Sequence, residues 1–144
     1  MLNNLCPKLI LYNDNILGGK TKLLLVMKEV SQNMFLNNIF KVENDSVKFC
    51  PPNDCSFDFL KDLFYKSMNE LHKLGIVHND LVISIFFKRI IHNSYYDEID
   101  KKVKFIDFSL SYYPEQQNID CKQAFEFEKE QVDKFFNDFE YRLN

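Results

Sequence analysis

A chain of 144 residues, 46% hydrophobic and 27% charged, has enough apolar mass for one folded core and is too hydrophobic for a disordered segment. A formal net charge of −3 excludes a global basic field of the kind that gathers nucleic acid. No apolar run approaches a membrane span, and the amino terminus lacks a signal-peptide pattern.

Residues 8–30 predict two strands around a turn. Leu9-Ile10-Leu11-Tyr12 is apolar, the stretch from Asn13 to Lys22 is turn-rich with Gly18-Gly19, and Leu23-Leu24-Leu25-Val26-Met27 has the character of a buried strand. Gly19-Lys20-Thr21 invites a phosphate-loop reading, but Asp14 stands where that loop requires its first glycine, and a strand follows where a helix should. Residues 31–55 have no clean period. Met34-Phe35-Leu36 and Ile39-Phe40 predict a short helix before Pro51-Pro52 breaks the chain. Cys6, Cys50, Cys55 and Cys121 form no Cys-x-x-Cys pair and have no adjacent histidine cluster, which is the pattern of reduced intracellular thiols.

The clearest helix covers 57–74, with Ser56 as N-cap and Gly75 as its left-handed stop. Phe57, Leu60, Leu63/Phe64, Met68, Leu71 and Leu74 recur on one face, and His72 is expected to pack as a structural side chain. Ile83 to Phe87 reads as a further strand and 90–102 as a polar, turn-forming loop insertion. Val103 to Ile106 reads as the strand that delivers Asp107. A charged helix over roughly 119–142 carries an apolar stripe of Phe127, Val132, Phe135/Phe136 and Phe139.

Two segments carry chemistry. Gly75-Ile76-Val77 leads into His78-Asn79-Asp80-Leu81, and Val103-Lys104-Phe105-Ile106 leads into Asp107-Phe108-Ser109. Phosphoryl transfer needs one carboxylate beside the attacking hydroxyl and another on the metal that bridges the nucleotide phosphates. Asp80 and Asp107 stand in that order. Either fragment alone is a weak signal, and an Asp after a strand is often only a turn residue.

Together these segments resemble the catalytic loop and metal-binding segment of protein kinases, most closely the small atypical serine/threonine kinase subunit of the KEOPS/EKC tRNA-modification complex. That family's catalytic loop reads H-G-D-L-T-T-S-N, against His78-Asn79-Asp80-Leu81-Val82-Ile83-Ser84-Ile85 here. Its D-F-G is followed by L-S, as Asp107-Phe108-Ser109 is by Leu110-Ser111. Cys6-Pro7-Lys8-Leu9 resembles the family's entry into the fourth strand of the small lobe. Leu25-Val26-Met27-Lys28-Glu29-Val30 resembles the strand and hinge that read adenine, and the Lys122–Glu130 region a large-lobe helix. The resemblance implies an α+β, protein-kinase-like fold in a single domain over 1–144. About 1–30 would form a β-stranded small-lobe remnant and hinge, and about 31–144 a mostly helical large lobe.

The resemblance also implies roles. Asp80 would act on the acceptor hydroxyl or water, Asp107 would bind magnesium, and His78 would buttress the loop. Lys28, Glu29 and Val30 would offer backbone groups to adenine, and Ser84 would lie on the phosphate side. ATP and Mg²⁺ are the implied cofactors, held weakly or lost. The Gly-rich loop, the small-lobe lysine and its glutamate partner have no counterparts in this sequence. Counting from Asp80, Ile85 falls where the family has a metal-binding Asn, and Ser109 replaces a glycine. The expected function is therefore a kinase- or ATPase-like KEOPS subunit with impaired catalysis, in contact with partner subunits and with tRNA only through the complex. It would reside in the cytoplasm or nucleus, away from membranes. The alternative is a pseudokinase that serves as an interaction module.

Overall fold

The computed structural model describes the backbone of residues 4–7, 9–15, 21–27 and 29–144, and the side chains of 4–7 and 29–144. Its frame is built from two helices. In α2 (Phe57–Lys73) the Ser56 hydroxyl accepts a hydrogen bond from the Phe59 N–H at 3.1 Å, and Asp58 sits in the electropositive first turn. Leu60, Phe64, Met68 and Leu71 recur every three or four residues, so they share one face, and that face is fully buried. Gly75 ends the helix at φ +81°, a conformation that costs glycine nothing, and its N–H returns to the His72 carbonyl at 2.9 Å. The last helix, α3 (Cys121–Leu143), starts at an Asp120 cap that accepts from the Gln123 N–H at 3.0 Å.

Between and beside these helices lie short antiparallel hairpins. The first pairs β1 (Leu9–Asn15) with β2 (Thr21–Met27), as expected for 8–30. A four-residue helix α1 (Leu36–Ile39) then leads into β3 (Phe40–Val42) and β4 (Val47–Phe49), a hairpin that no periodicity announced. Phe40 is fully buried, and its ring meets those of Phe49, Phe57, Phe136 and Phe139 at centroid distances of 5.4 Å. This aromatic cluster joins the hairpin to both long helices. Tyr65 adds a polar tie, donating its hydroxyl to Asp133 at 2.5 Å.

Two further hairpins follow α2. The strands β5 (Val82–Ile85) and β6 (Lys88–Ile91) form one, and β7 (Ser94–Asp97) and β8 (Lys102–Phe105) the other. The expected loop insertion at 90–102 is therefore not a loop. Ser94, Tyr95 and Tyr96 are buried as a strand against β8, and residues 98–101 form the turn between them. Phe86 and Phe87, expected in the strand from Ile83, stand at the turn of the β5–β6 hairpin instead. Strand β8 packs on α2, where the Ser67 hydroxyl donates to the Val103 carbonyl at 2.6 Å. The chain is thus α+β, with small antiparallel sheets. Among the described residues no helix is long and apolar enough to cross a membrane.

Candidate functional site

The site is organised by a buried carboxylate. Glu128 on α3 is only 5% exposed. Its Oε1 accepts from the His78 N–H at 3.1 Å and faces His72 Nε2 at 2.9 Å, while Oε2 accepts from the Asn79 N–H at 2.6 Å. A turn carrying two inward N–H groups needs a strong acceptor, since buried unpaired donors are costly. Glu128 supplies it. Phe127, expected in the apolar stripe of this helix, points into solvent, and Glu128 takes the inward position one residue on. Helical spacing from Ala124 to Val132 passes through Glu128, but hydrophobicity alone hides a buried acid.

Held this way, Asn79 adopts φ +70°, which asparagine tolerates, and the loop turns His78 inward and Asp80 outward. His78 is fully buried against Phe105 and Phe108. Its Nε2–H donates to the Ile106 carbonyl at 2.9 Å, and its Nδ1 accepts from the Asp80 N–H at 3.2 Å. That pairing requires the neutral ring. Burial also pushes its pKa below the ordinary histidine value, against the opposing pull of the Ile106 carbonyl and of Glu128, Asp80 and Asp107. His78 therefore buttresses the loop and is placed to lock the Asp80 segment to the Asp107 segment.

The second segment is clasped to the first. Val77 and Tyr112 exchange backbone bonds at 3.0 and 3.1 Å, the Ser111 hydroxyl donates to the His78 carbonyl at 2.8 Å, and the Asn79 amide donates to the Leu110 carbonyl at 3.2 Å. Asp107 stands between these clamps, exposed, with φ +54°. The hydroxyl and the N–H of Ser109 both donate to its Oδ1, at 2.6 and 3.2 Å, and hold its carboxyl below the usual range. Ser109 thus orients its neighbour's carboxylate and favours its ionised form.

Asp80 has partners that linear reading missed. Asn93 donates through Nδ2 to the Asp80 carbonyl at 2.9 Å and to Oδ2 at 3.0 Å, and His92 Nε2 lies 2.9 Å from Oδ1. Counting residues from Asp80 pointed to Ile85 as the position of the metal-binding amide. Ile85 lies at the far end of β5, 44% exposed, and the amide beside Asp80 is Asn93. The β5–β6 arm intervenes, and the His92 N–H closes its base on the Leu81 carbonyl at 2.9 Å. Asn93 is also bound to the Asp107 segment, since its carbonyl accepts from the Ile106 N–H at 2.9 Å.

Ser84 sits within β5 opposite Arg89, exposed, and makes no hydrogen bond to Asp80, Asn93 or Asp107. Glu29 is exposed and Val30 half-buried in an extended stretch ahead of a 3₁₀ turn at Gln32–Met34. Lys28, Gly18, Gly19 and Lys20 lie outside the described residues, as do the side chains of Leu23 to Met27.

A cleft of about 200 Å³ on the α3 side of the loop is lined by Val77, Asn79, Leu81, Tyr112, Phe127 and Gln131, among others, and neither Asp80 nor Asp107 borders it. Among the described residues no group of three or more His, Cys, Asp or Glu side chains could hold a metal ion. The oxygens on offer are fewer. Both hydrogen-bonding partners of the Asn93 amide nitrogen are oxygens that only accept, which fixes the amide's orientation and leaves Oδ1 uncommitted. By donor chemistry alone, Asn93 Oδ1 and the Asp107 carboxylate are both oxygens of the kind magnesium takes.

No protein-family model matches this chain, and neither does any curated protein or solved structure.

Proposed function

We propose that this protein is a protein-kinase-like phosphoryl-transfer module that uses magnesium and ATP. The observation that carries the reading is the meeting of Asp80, Asn93 and the Asp107 segment through named hydrogen bonds, although Asp80 and Asn93 are separated by a ten-residue hairpin arm. A magnesium ion bound with the nucleotide would neutralise phosphate charge during transfer. Asp107, exposed and ionised, offers it a carboxylate, and Asn93 offers Oδ1. Asp80 keeps a lone pair on each carboxylate oxygen beyond its two protein donors, which suits it to orient an acceptor hydroxyl or water and take its proton. His78, neutral and doubly bonded, holds these two segments at a constant separation.

Titration calorimetry with MgATP, alongside a phosphate-release assay, tests this directly. Asp107→Ala should abolish binding. Asp80→Asn should leave binding within about threefold and lower turnover by about 10²-fold or more, because its contribution belongs to the transition state. Absence of MgATP binding by the unaltered chain, or equal turnover in all three proteins, defeats the reading.

The finer assignment, to a KEOPS-type tRNA-modification complex in the cytoplasm or nucleus, rests on the sequence resemblance. Addition of the complex's ATPase-like subunit should then raise the melting temperature with its concentration. A second reading, a partner-binding module without turnover, is favoured by the arm itself. Phe86 and Phe87 are 88% and 101% exposed at its tip.

A further inference from the structure

We propose that His92 is a positioning residue that holds the Asp80 carboxylate in its working orientation. The inference rests on the phosphoryl-transfer reading and deepens it. A carboxylate turns freely about its last side-chain torsion, which has broad minima. Asn93 alone does not stop that turning, because its single amide nitrogen serves both the Asp80 carbonyl and Oδ2. A second donor on the other oxygen does. His92 Nε2 stands 2.9 Å from Oδ1, so the carboxylate plane is held at both ends. With the Asp80 N–H on His78 Nδ1, the residue is held at its amide, its carbonyl and both carboxylate oxygens.

The imidazole is not needed to build the arm. The base of the β5–β6 hairpin is closed by the His92 backbone N–H on the Leu81 carbonyl, a bond that any residue but proline supplies. Nor is the ring core material, for its side chain remains 25% exposed and could be solvated by water. Its one hydrogen bond among the described side chains goes to Asp80. The arm thus does more than separate Asp80 from Asn93 in sequence, since its return brings a ring donor and an amide donor side by side onto the same carboxylate.

The test measures MgATP hydrolysis and MgATP binding for the full chain and for His92→Ala and His92→Gln. Glutamine keeps an N–H donor of similar reach. In His92→Ala, kcat should fall about 10- to 100-fold while KM for MgATP stays within about twofold, because misorientation of a reacting group acts on the rate. His92→Gln should recover most of the loss. A readout independent of activity is the ring ¹⁵N spectrum of His92, which should show an Nε2–H tautomer whose signals move in Asp80→Asn. Unchanged kcat in His92→Ala, a glutamine variant as slow as the alanine one, or His92 signals indifferent to Asp80→Asn would each overturn the proposal while MgATP binding still stood. Absence of MgATP binding in the unaltered chain would overturn the phosphoryl-transfer reading itself, and His92 would have no reaction to serve.

Discussion

Replacing Glu128 by glutamine is the sharpest probe of how the loop is held. The carboxylate accepts from three donors, and the exchange puts an NH₂ where one oxygen stood. The amide oxygen can serve the His78 N–H and His72. The new NH₂ then faces the Asn79 N–H, now 2.6 Å from an oxygen. A hydrogen bond to a charged acceptor contributes about 1.5–3 kcal/mol, and the stranded donor costs about 1–3 kcal/mol more at a site this buried. The sum, about 2.5–6 kcal/mol, is a large part of the 5–15 kcal/mol that holds a typical domain together. At roughly 3 °C per kcal/mol, the melting temperature should fall by about 8–18 °C. Urea unfolding followed by circular dichroism measures the first figure and thermal melting the second. Glu126→Gln, at an exposed position on the same helix, is the control and should change stability by less than about 0.5 kcal/mol. A loss below about 1 kcal/mol in Glu128→Gln would mean that water serves the loop amides and that Glu128 does not organise the site.

His78 is kept neutral by burial, so its folded-state pKa lies below the unfolded value near 6.5. Below that pH the unfolded chain binds more protons, and stability should be full above pH 6.5 and fall as pH drops, by up to about 1.4 kcal/mol per pH unit. Urea melts between pH 7.5 and 5 should show this slope, flattened in His78→Asn, and a flat profile in the unaltered chain contradicts the neutral ring. Phe86 and Phe87 both hold positive φ, 50° and 65°, in a two-residue hairpin turn. Phe86→Asn with Phe87→Gly should therefore stabilise the chain by about 1–2 kcal/mol in urea melts, and a destabilised double variant would show that the rings support the fold. Ile85→Asn should leave MgATP affinity unchanged in calorimetry, whereas Asn93→Ala should weaken it severalfold; the reverse result would restore Ile85 as the aligned position.

Local chemistry was legible along the chain. Ser56 and Gly75 bracket α2 because a side-chain oxygen is needed at one end and a left-handed residue at the other, and both needs are local. The same holds for the pairing of strands β1 and β2, for the extent of α3, and for the Asp107 segment that follows the apolar strand β8. Residues that act across long sequence separations were not legible. Asn93 meets Asp80 only because a hairpin folds out between them, and hairpin length is set by pairing, not by any motif at its ends. Glu128 reads as one more surface acid of a charged helix until the loop amides 49 and 50 residues earlier arrive to need it. Sequence by itself determined which residues carry charge, where helices begin and stop, and which two aspartates to watch. Tertiary structure decided which amide and which imidazole share the Asp80 carboxylate, because a hydrogen bond depends on where two groups sit in space and not on how many residues lie between them.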